Sequence, residues 1–187
     1  MKRTVVVLAS LFLLAAPTAI AGEGHVNLFF GQKQLDDEFE QPIDVVDQDE
    51  FGVQVSFGNP DWPVMVAVDL MASSADERVG GIVVDVSTTE LDAGVRKFWE
   101  KGKARPYIGG GLALVNGEVT IDTGLFDVSG DESGLGVWIG GGAFWRLGRS
   151  FNIGVDARIT RAEVDVGGLD TEVGGNHIGL LLGWGWD

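Results

Sequence analysis

Charged side chains recur inside segments of this chain that are otherwise apolar, and they are the residues best suited to chemistry. They alternate with aliphatic residues, which puts the charges and the aliphatic groups on opposite faces of an extended strand. Six of them form the candidate site: Asp69, Glu90, Asp92, Arg96, Asp156 and Arg158. Because an unpaired charge is costly to bury, a fold that encloses these faces should pair them in an ion-pair network. The network would be a structural plug or, as the less favoured alternative, a gate across a narrow pore.

Catalytic and ligand-binding motifs are weak by comparison. Glu90 and Asp92 share a strand face, as paired acid–base carboxylates do, but arginines lie close in sequence and no substrate cleft is evident. The chain has no cysteine, and its two histidines, His25 and His177, stand 152 positions apart, so no zinc-ligand spacing exists. Two glycine triplets are not followed by a predicted helix that could receive a phosphate. We therefore predict no catalytic residue, no metal site and no cofactor.

Composition narrows the class of protein. The 187 residues suffice for one domain, and 28 acidic residues against 13 lysines and arginines give a net charge of −15. Such a surface repels nucleic acid, whose binding needs basic groups that neutralise phosphates. The 29 glycines and six tryptophans are unusual for a strand-rich chain and require a structural reason.

The first 21 residues have the layout of a secretory signal peptide. Residues 1–3 are a basic start, residues 4–16 are an apolar run, and residues 19–21 form a small-x-small cleavage site. A membrane anchor is the alternative, but a spanning helix needs about 20 apolar residues. We expect residues 1–21 to be removed and residues 22–187 to form the mature domain.

The rest of the chain shows alternation with period two and no sustained helical period. Such alternation is typical of strands with one apolar face. Eight runs carry it, at residues 26–34, 51–57, 64–72, 83–97, 106–115, 136–145, 151–161 and 176–186. Lengths of about 9–11 residues suit tilted strands that span a membrane. The predicted fold is therefore all-β, with eight antiparallel strands.

The connections between these runs alternate strictly between long and short. Three are short, at residues 58–63, 98–105 and 147–150, and four are longer, at residues 33–50, 73–82, 116–135 and 162–175. Short periplasmic turns and long external loops are the pattern of an up-and-down transmembrane β-barrel. We predict that architecture, with both ends of the mature chain on the periplasmic side.

Aromatic and charged residues sort along the predicted barrel axis. Five tryptophans fall at the periplasmic ends of the strands, where membrane barrels carry an aromatic girdle: Trp62, Trp99, Trp145, Trp184 and Trp186. Lysines and arginines cluster at the periplasmic turns, and the external loops are acidic. The eight acids at residues 36–50 are expected to be a solvated loop or, less favoured, a site for divalent cations that bridge lipopolysaccharide phosphates.

Several motifs, in this order, resemble the small outer-membrane β-barrel domains of the OmpA-like and OmpX-like group. They are residues 27–31 (NLFFG), 105–111 (RPYIGGG), 154–158 (GVDAR) and 179–184 (GLLLGW). The resemblance implies a monomer in the outer membrane of a Gram-negative bacterium, in contact with lipid and lipopolysaccharide. It also implies delivery by periplasmic chaperones and the barrel-assembly machinery. Lipid deacylases of similar architecture pair a histidine with a serine two residues on, whereas His177 is followed by Ile178 and Gly179.

A soluble lipocalin-like barrel or a two-sheet sandwich is the alternative fold. In either, the charged faces would point to water, and a rim of tryptophans would have no explanation. In the membrane barrel, glycines with an inward phase would leave room for large side chains such as Tyr107, Trp138 and Arg158, or would mark bulges. These glycines are Gly109, Gly111, Gly140, Gly142, Gly179, Gly183 and Gly185.

We predict a structural or surface-interaction role for this barrel, with a lumen filled by side chains. The first alternative is a narrow pore or a conduit for small molecules across the outer membrane. A weaker alternative is an enzyme that modifies outer-membrane lipid.

Overall fold

The computed structural model describes residues 22–35, 47–79, 82–100, 102–122, 127–166, 169–172 and 174–186. The predicted signal peptide and the acidic segment 36–46 lie outside these residues. Within them the chain forms nine strands: β1 (Glu23–Leu35), β2 (Asp47–Gly58), β3 (Met65–Val79), β4 (Ile82–Phe98), β5 (Ala104–Asp122), β6 (Asp127–Leu147), β7 (Phe151–Val166), β8 (Leu169–Glu172) and β9 (Gly175–Trp186). The described residues contain no helix that is long and apolar enough to cross a bilayer.

Eight of these strands close into a ring. Each strand from β1 to β7 pairs antiparallel with the next, β7 also pairs with β9, and β9 pairs with β1. The short strand β8 pairs with the far end of β7 and lies outside the ring. The predicted eight-stranded antiparallel up-and-down barrel is therefore confirmed. In this ring β3 faces β7 across the lumen, and β1 faces β5.

The hairpins at one end of the barrel are much longer than the sequence pattern predicts. Pairing of β3 with β4 continues to Val79 and Ile82, and pairing of β5 with β6 continues to Asp122 and Asp127. The prediction of loops at residues 73–82, 116–135 and 162–175 is wrong, because most of these residues are paired strand. Apolar alternation reports which side of a strand is in lipid, whereas ladder hydrogen bonds form equally well between polar strands in water.

The connections at the other end are short, as predicted. Gly102 and Gly148 lie in the turns after β4 and β6 with φ values of 66° and 69°, a left-handed conformation that glycine adopts without strain. The first residue of β1 and the last residue of β9 also lie at this end, which we call the periplasmic end. The opposite end is called the external end.

The side chains are sorted in the manner of a membrane barrel. Apolar residues of the outward phase are exposed, up to 67% for Ile178 and 66% for Leu135. Charged residues of the inward phase are buried, as at Lys33, Asp69 and Arg158, none of which is more than 2% exposed. A soluble protein would expose the charges and bury the aliphatic groups, so this surface matches hydrocarbon rather than water.

Some large apolar residues nevertheless point inward. Phe29, Met71, Phe144 and Leu181 are almost fully buried and form a cluster with Tyr107 inside the barrel. The sequence analysis placed the apolar residues on the lipid face and did not single out these four. They fill the lumen because eight strands leave only enough space for side chains.

Glycines on the inner wall make room for these large neighbours. A Cβ atom at Gly142 would lie 2.8 Å from the hydroxyl of Tyr107 and 2.2 Å from the carbonyl oxygen of Val155. One at Gly140 would lie 2.7 Å from Cβ of Arg158. Small and large residues thus alternate inside the barrel, as small barrels require.

The Gly142→Ala substitution is expected to lower the free energy of unfolding by about 1–3 kcal/mol, because neither the backbone of Val155 nor the enclosed Tyr107 ring can retreat freely. Gly117→Ala is the matched control, since a Cβ atom there would have no neighbour within 4 Å. Urea unfolding in detergent micelles measures both. Equal transition midpoints for the two variants would contradict this packing.

Candidate functional site

The six predicted site residues all lie inside the barrel. Each is at most 3% exposed, and together they come from β3, β4 and β7. Their partners divide them between two groups, because Asp69, Asp92, Arg96, Asp156 and Arg158 lie together and Glu90 lies nearer the external end. We call the first group the central cluster.

Arg158 holds the central cluster together from β7. Its Nη2 donates a hydrogen bond of 2.8 Å to Oδ2 of Asp69 on the opposite strand β3. Its Nη1 donates to Asp92 on β4, and its Nε lies 3.4 Å from Oδ1 of Asp156. One guanidinium group therefore contacts three carboxylates, an arrangement that its planar set of five donors permits.

Arg96 and three uncharged residues provide the other hydrogen bonds of the central cluster. Arg96 donates to both carboxylate oxygens of Asp69 and, over 3.1 Å, to the hydroxyl of Ser56. Asp156 accepts a hydrogen bond from the Tyr107 hydroxyl and another, of 3.2 Å, from the side-chain amide of Gln54. Every buried aspartate of the cluster thus has at least one donor, which reduces the cost of burying its charge.

Both guanidinium groups of the central cluster contact the ring of Trp138. The Cζ atoms of Arg96 and Arg158 are 5.4 Å and 5.2 Å from the ring, within the range of cation–π attraction. Sequence reasoning noted Trp138 only as a large inward residue. Trp138 precedes the outward-facing Ile139 in β6, so strand alternation already indicated that Trp138 points into the lumen.

Glu90 belongs to a second group, which we call the external cluster and define as Lys33, Glu50, Glu90, Thr160 and His177. Glu90 accepts hydrogen bonds from Lys33 Nζ at 3.4 Å and from the Thr160 hydroxyl at 2.5 Å. Nδ1 of His177 lies 2.9 Å from each carboxylate oxygen of Glu50, and its Nε2 lies 3.8 Å from Glu90. The predicted network is thereby extended by strands β1, β2 and β9.

Sequence reasoning missed Lys33, Glu50 and the partners of His177. Lys33, Glu50 and His177 have the inward phase of their strands, since they lie an even number of positions from the buried residues Asn27, Gln54 and Leu181, respectively. The phase was readable from the sequence. The contacts were not, because Lys33 and Glu90 are 57 positions apart and meet only when the ring closes.

A third group lies near the periplasmic end of the lumen. We call it the aromatic cluster and define it as His25, Phe98, Tyr107 and Phe144. The His25 ring lies 5.1 Å from Phe98 and 4.9 Å from Phe144, and Phe98 lies 5.2 Å from Tyr107. The sequence analysis did not predict this cluster.

The structure places the five predicted girdle tryptophans at the periplasmic end. Trp62 and Trp99 lie in the turns after β2 and β4, and Trp145, Trp184 and Trp186 lie at the ends of β6 and β9. The first four are 42–58% exposed on the outer surface. Trp138 is the sixth tryptophan of the chain and lies in the lumen.

The chemistry available in the lumen is that of ion pairing. The described part of the chain contains no group of three or more histidine, aspartate or glutamate residues that could hold a metal ion. Each of the three clusters contains contacts between strands that lie three or four positions apart around the ring, so each connects distant parts of the barrel wall.

No protein-family model matches the chain, and no curated protein is detectably similar to it in sequence. Similarity is found among solved structures. Ail, the attachment invasion locus protein of Yersinia pestis, solved with the heparin analogue sucrose octasulfate, is 15% identical to this chain. The TM-score is 0.62, and the match covers 89% of this chain and 100% of Ail.

Two further outer-membrane proteins match over similar lengths. A major outer membrane protein of Thermus thermophilus is 11% identical, with a TM-score of 0.59 over 89% of this chain and 98% of that protein. Neisserial surface protein A is 17% identical, with a TM-score of 0.56 over 88% of this chain and 96% of that protein. These likenesses show the fold, which is that of the small outer-membrane barrels, as the sequence predicts.

Proposed function

We propose that this chain is an integral protein of the Gram-negative outer membrane, with a lumen closed by side chains and a structural or surface-interaction role. The observation that carries the proposal is the bond between Arg158 and Asp69, which joins opposite walls through the centre of the barrel. In a lumen only wide enough for side chains, a cluster of ion-paired side chains at that position would leave no continuous water path.

The outer surface supports membrane insertion as a monomer. The apolar residues exposed on β5, β6 and β9 would meet acyl chains, and the tryptophans at the periplasmic end would lie at the level of the headgroups. Closure of the ring leaves no unpaired edge at membrane depth, so no second copy is needed to satisfy the backbone. Residues 1–21 would direct export, and chaperones and the assembly machinery would deliver residues 22–187.

The external end would provide the surface for partners. The segments 36–50, 73–85, 116–135 and 162–175 together contain 20 acidic residues and a single base, Arg78. Such a surface would repel a polyanion like the sulfated sugar bound to Ail. We propose that partners of this chain are cationic, or are anionic only where divalent cations bridge the two.

An enzymatic role is not proposed. His177 is fully enclosed among the glutamates and Lys33 of the external cluster, so its ring cannot approach a lipid substrate from either membrane leaflet. A general base must come within hydrogen-bond reach of the group it deprotonates. Hydrolysis of outer-membrane phospholipid by the pure protein would contradict this part of the proposal.

Planar-bilayer recording tests the closed lumen. The purified folded barrel is expected to give no discrete current steps above the lipid baseline, because bonded side chains of the central cluster cross the axis of the lumen. The gel shift between unboiled and boiled samples verifies that the protein is folded. Regular steps from the folded wild-type barrel would contradict the closed lumen and favour the narrow pore.

The narrow pore remains the second candidate on one observation. Near the external end, the Lys33 ammonium makes only long contacts, 3.3 Å to the Thr88 hydroxyl and 3.4 Å to Glu90. Long hydrogen bonds are weak, so Lys33 is held less firmly than Arg158, whose bond to Asp69 is 2.8 Å long. In a gated pore, loss of Arg158 alone would raise conductance.

A further inference from the structure

The periplasmic end of the lumen is crossed by rings that come from nearly opposite walls. His25 lies on β1, and Phe98 and Phe144 lie on β4 and β6, each three positions from β1 around the ring of eight strands. Tyr107 extends the cluster to β5, directly opposite β1. The rings therefore meet on the axis of the barrel instead of lining its wall.

These rings are packed too closely for an open path. The distances between neighbouring ring centres are 4.9–6.3 Å, which is the range of edge-to-face and offset aromatic contacts. Phe144 and His25 are fully buried. The lumen of an eight-stranded barrel has little width beyond these side chains. The aromatic cluster is therefore an obstruction in its own right.

The contacts of the aromatic cluster differ in kind from those of the central cluster. Ring packing depends on apolar area and shape, and the contacts among His25, Phe98 and Phe144 need no guanidinium–carboxylate pair. Tyr107 is the residue common to both clusters, through its bond to Asp156 and its packing on Phe98. Loss of Arg158 removes the bonds to Asp69, Asp92 and Asp156 and leaves the three other rings in contact.

We propose that the lumen is closed by two seals in series, the ionic central cluster and the aromatic cluster, so that removing either one alone leaves the barrel non-conducting. This inference rests on the proposed closed lumen and adds how that closure is built. It differs from a single ionic gate, which the loss of Arg158 would open.

Conductance of three variants tests the proposal. The first is Arg158→Ala, the second combines Phe98→Ala with Phe144→Ala, and the third combines all three substitutions. We expect discrete current steps only from the third variant, in which both seals are removed. A matched control is Phe30→Ala with Phe51→Ala, because these two rings pack 5.2 Å apart on the lipid side. The control pair combined with Arg158→Ala should give no discrete current steps.

The outcomes separate this inference from the proposed function. Steps from the wild-type barrel would contradict the closed lumen itself. Steps from Arg158→Ala alone would leave the closed wild-type lumen intact and contradict the second seal. Silence of the combined variant, once its gel shift shows a folded barrel, would also contradict the proposal that these two clusters are the seals.

A labelling experiment tests the aromatic seal even if the combined variant fails to fold. Ala67 is fully buried on the inner wall of β3, two residues on the periplasmic side of Asp69, and the chain has no natural cysteine. Ala67→Cys is expected to resist a small cationic thiol reagent in the folded barrel. The paired Phe98 and Phe144 substitutions should make this cysteine reactive while the ionic seal stays intact, whereas the Phe30 and Phe51 control should not. Equal reactivity in the two backgrounds would overturn the proposal.

Discussion

Replacing Arg158 with alanine is expected to lower the free energy of unfolding by about 3–5 kcal/mol, which is the usual cost of removing one partner of a buried ion pair. The loss is large because one guanidinium group serves Asp69, Asp92 and Asp156, and Arg96 remains as the only arginine of the cluster. Urea unfolding of the barrel in micelles, followed by the gel shift, measures the change.

Two further variants make the Arg158 result interpretable. Arg149→Ala removes an arginine from the exposed turn after β6 and should change stability by no more than a few tenths of a kcal/mol. Asp92→Asn in the Arg158→Ala background should restore part of the loss, because a buried neutral amide costs less than an unpaired carboxylate. A barrel that loses Arg158 with no change in its unfolding midpoint would show that the cluster is hydrated rather than bonded.

The second large effect concerns the outer surface. Ile139→Arg is expected to destabilise the inserted barrel by about 2–4 kcal/mol, the cost of an arginine near the middle of the lipid-facing band. Ile139 is 59% exposed in the middle of the apolar outward face of β6. In a water-soluble protein the same substitution at an exposed site would change stability by only about 0.5 kcal/mol. The sign and size of this effect therefore distinguish lipid from water around the barrel.

Ser74→Arg is the control for that substitution. Ser74 points outward from β3 beyond the apolar band and pairs with Asp49 and Ser87 on the neighbouring strands. An arginine there would stay in water near a carboxylate, so we expect stability within about 0.5 kcal/mol of wild type. Folding yield into vesicles and urea unfolding from them compare the two variants. Equal behaviour of Ile139→Arg and Ser74→Arg would mean that Ile139 does not face acyl chains.

The arrangement of the buried charges favours the correct strand register as well as stability. Five acids and three lysines or arginines lie in the central and external clusters, and their bonds connect strands far apart in sequence, such as Lys33 with Glu90 and Gln54 with Asp156. An apolar filling would tolerate a strand pairing shifted along its neighbour. A polar filling with defined partners penalises such a shift, because donors and acceptors would be left unpaired in a medium without water.

The strands and their orientation could be predicted from the sequence alone. Side chains alternate between the two faces of any strand, so the apolar phase of Ile153, Val155 and Ile159 and the polar phase of Asp156 and Arg158 are local properties. The strict order of long and short connections then indicated an up-and-down ring. For the same reason the sequence analysis could assign all six charged residues of the candidate site to the inner face, and the structure has them buried.

Two aspects of the fold could not be predicted from the alternation of side chains along the strands. The hairpins of β3 with β4 and of β5 with β6 extend past the apolar band, where pairing continues but the alternation that reveals it does not. Phe29 and Leu181 have the inward phase of strands whose outward residues are also apolar, so residue type alone did not mark these two side chains as luminal.

The identity of the partners was decided by the tertiary structure. Arg158 and Asp69 are 89 positions apart, and His25 and Phe144 are separated by more than half of the chain, yet each pair meets near the axis. Such contacts depend on which strands oppose one another after closure and on how far each is staggered along its neighbour, and neither is encoded within one strand. The sequence alone thus determined which side chains each wall carries, and ring closure determined which of these side chains meet inside the lumen.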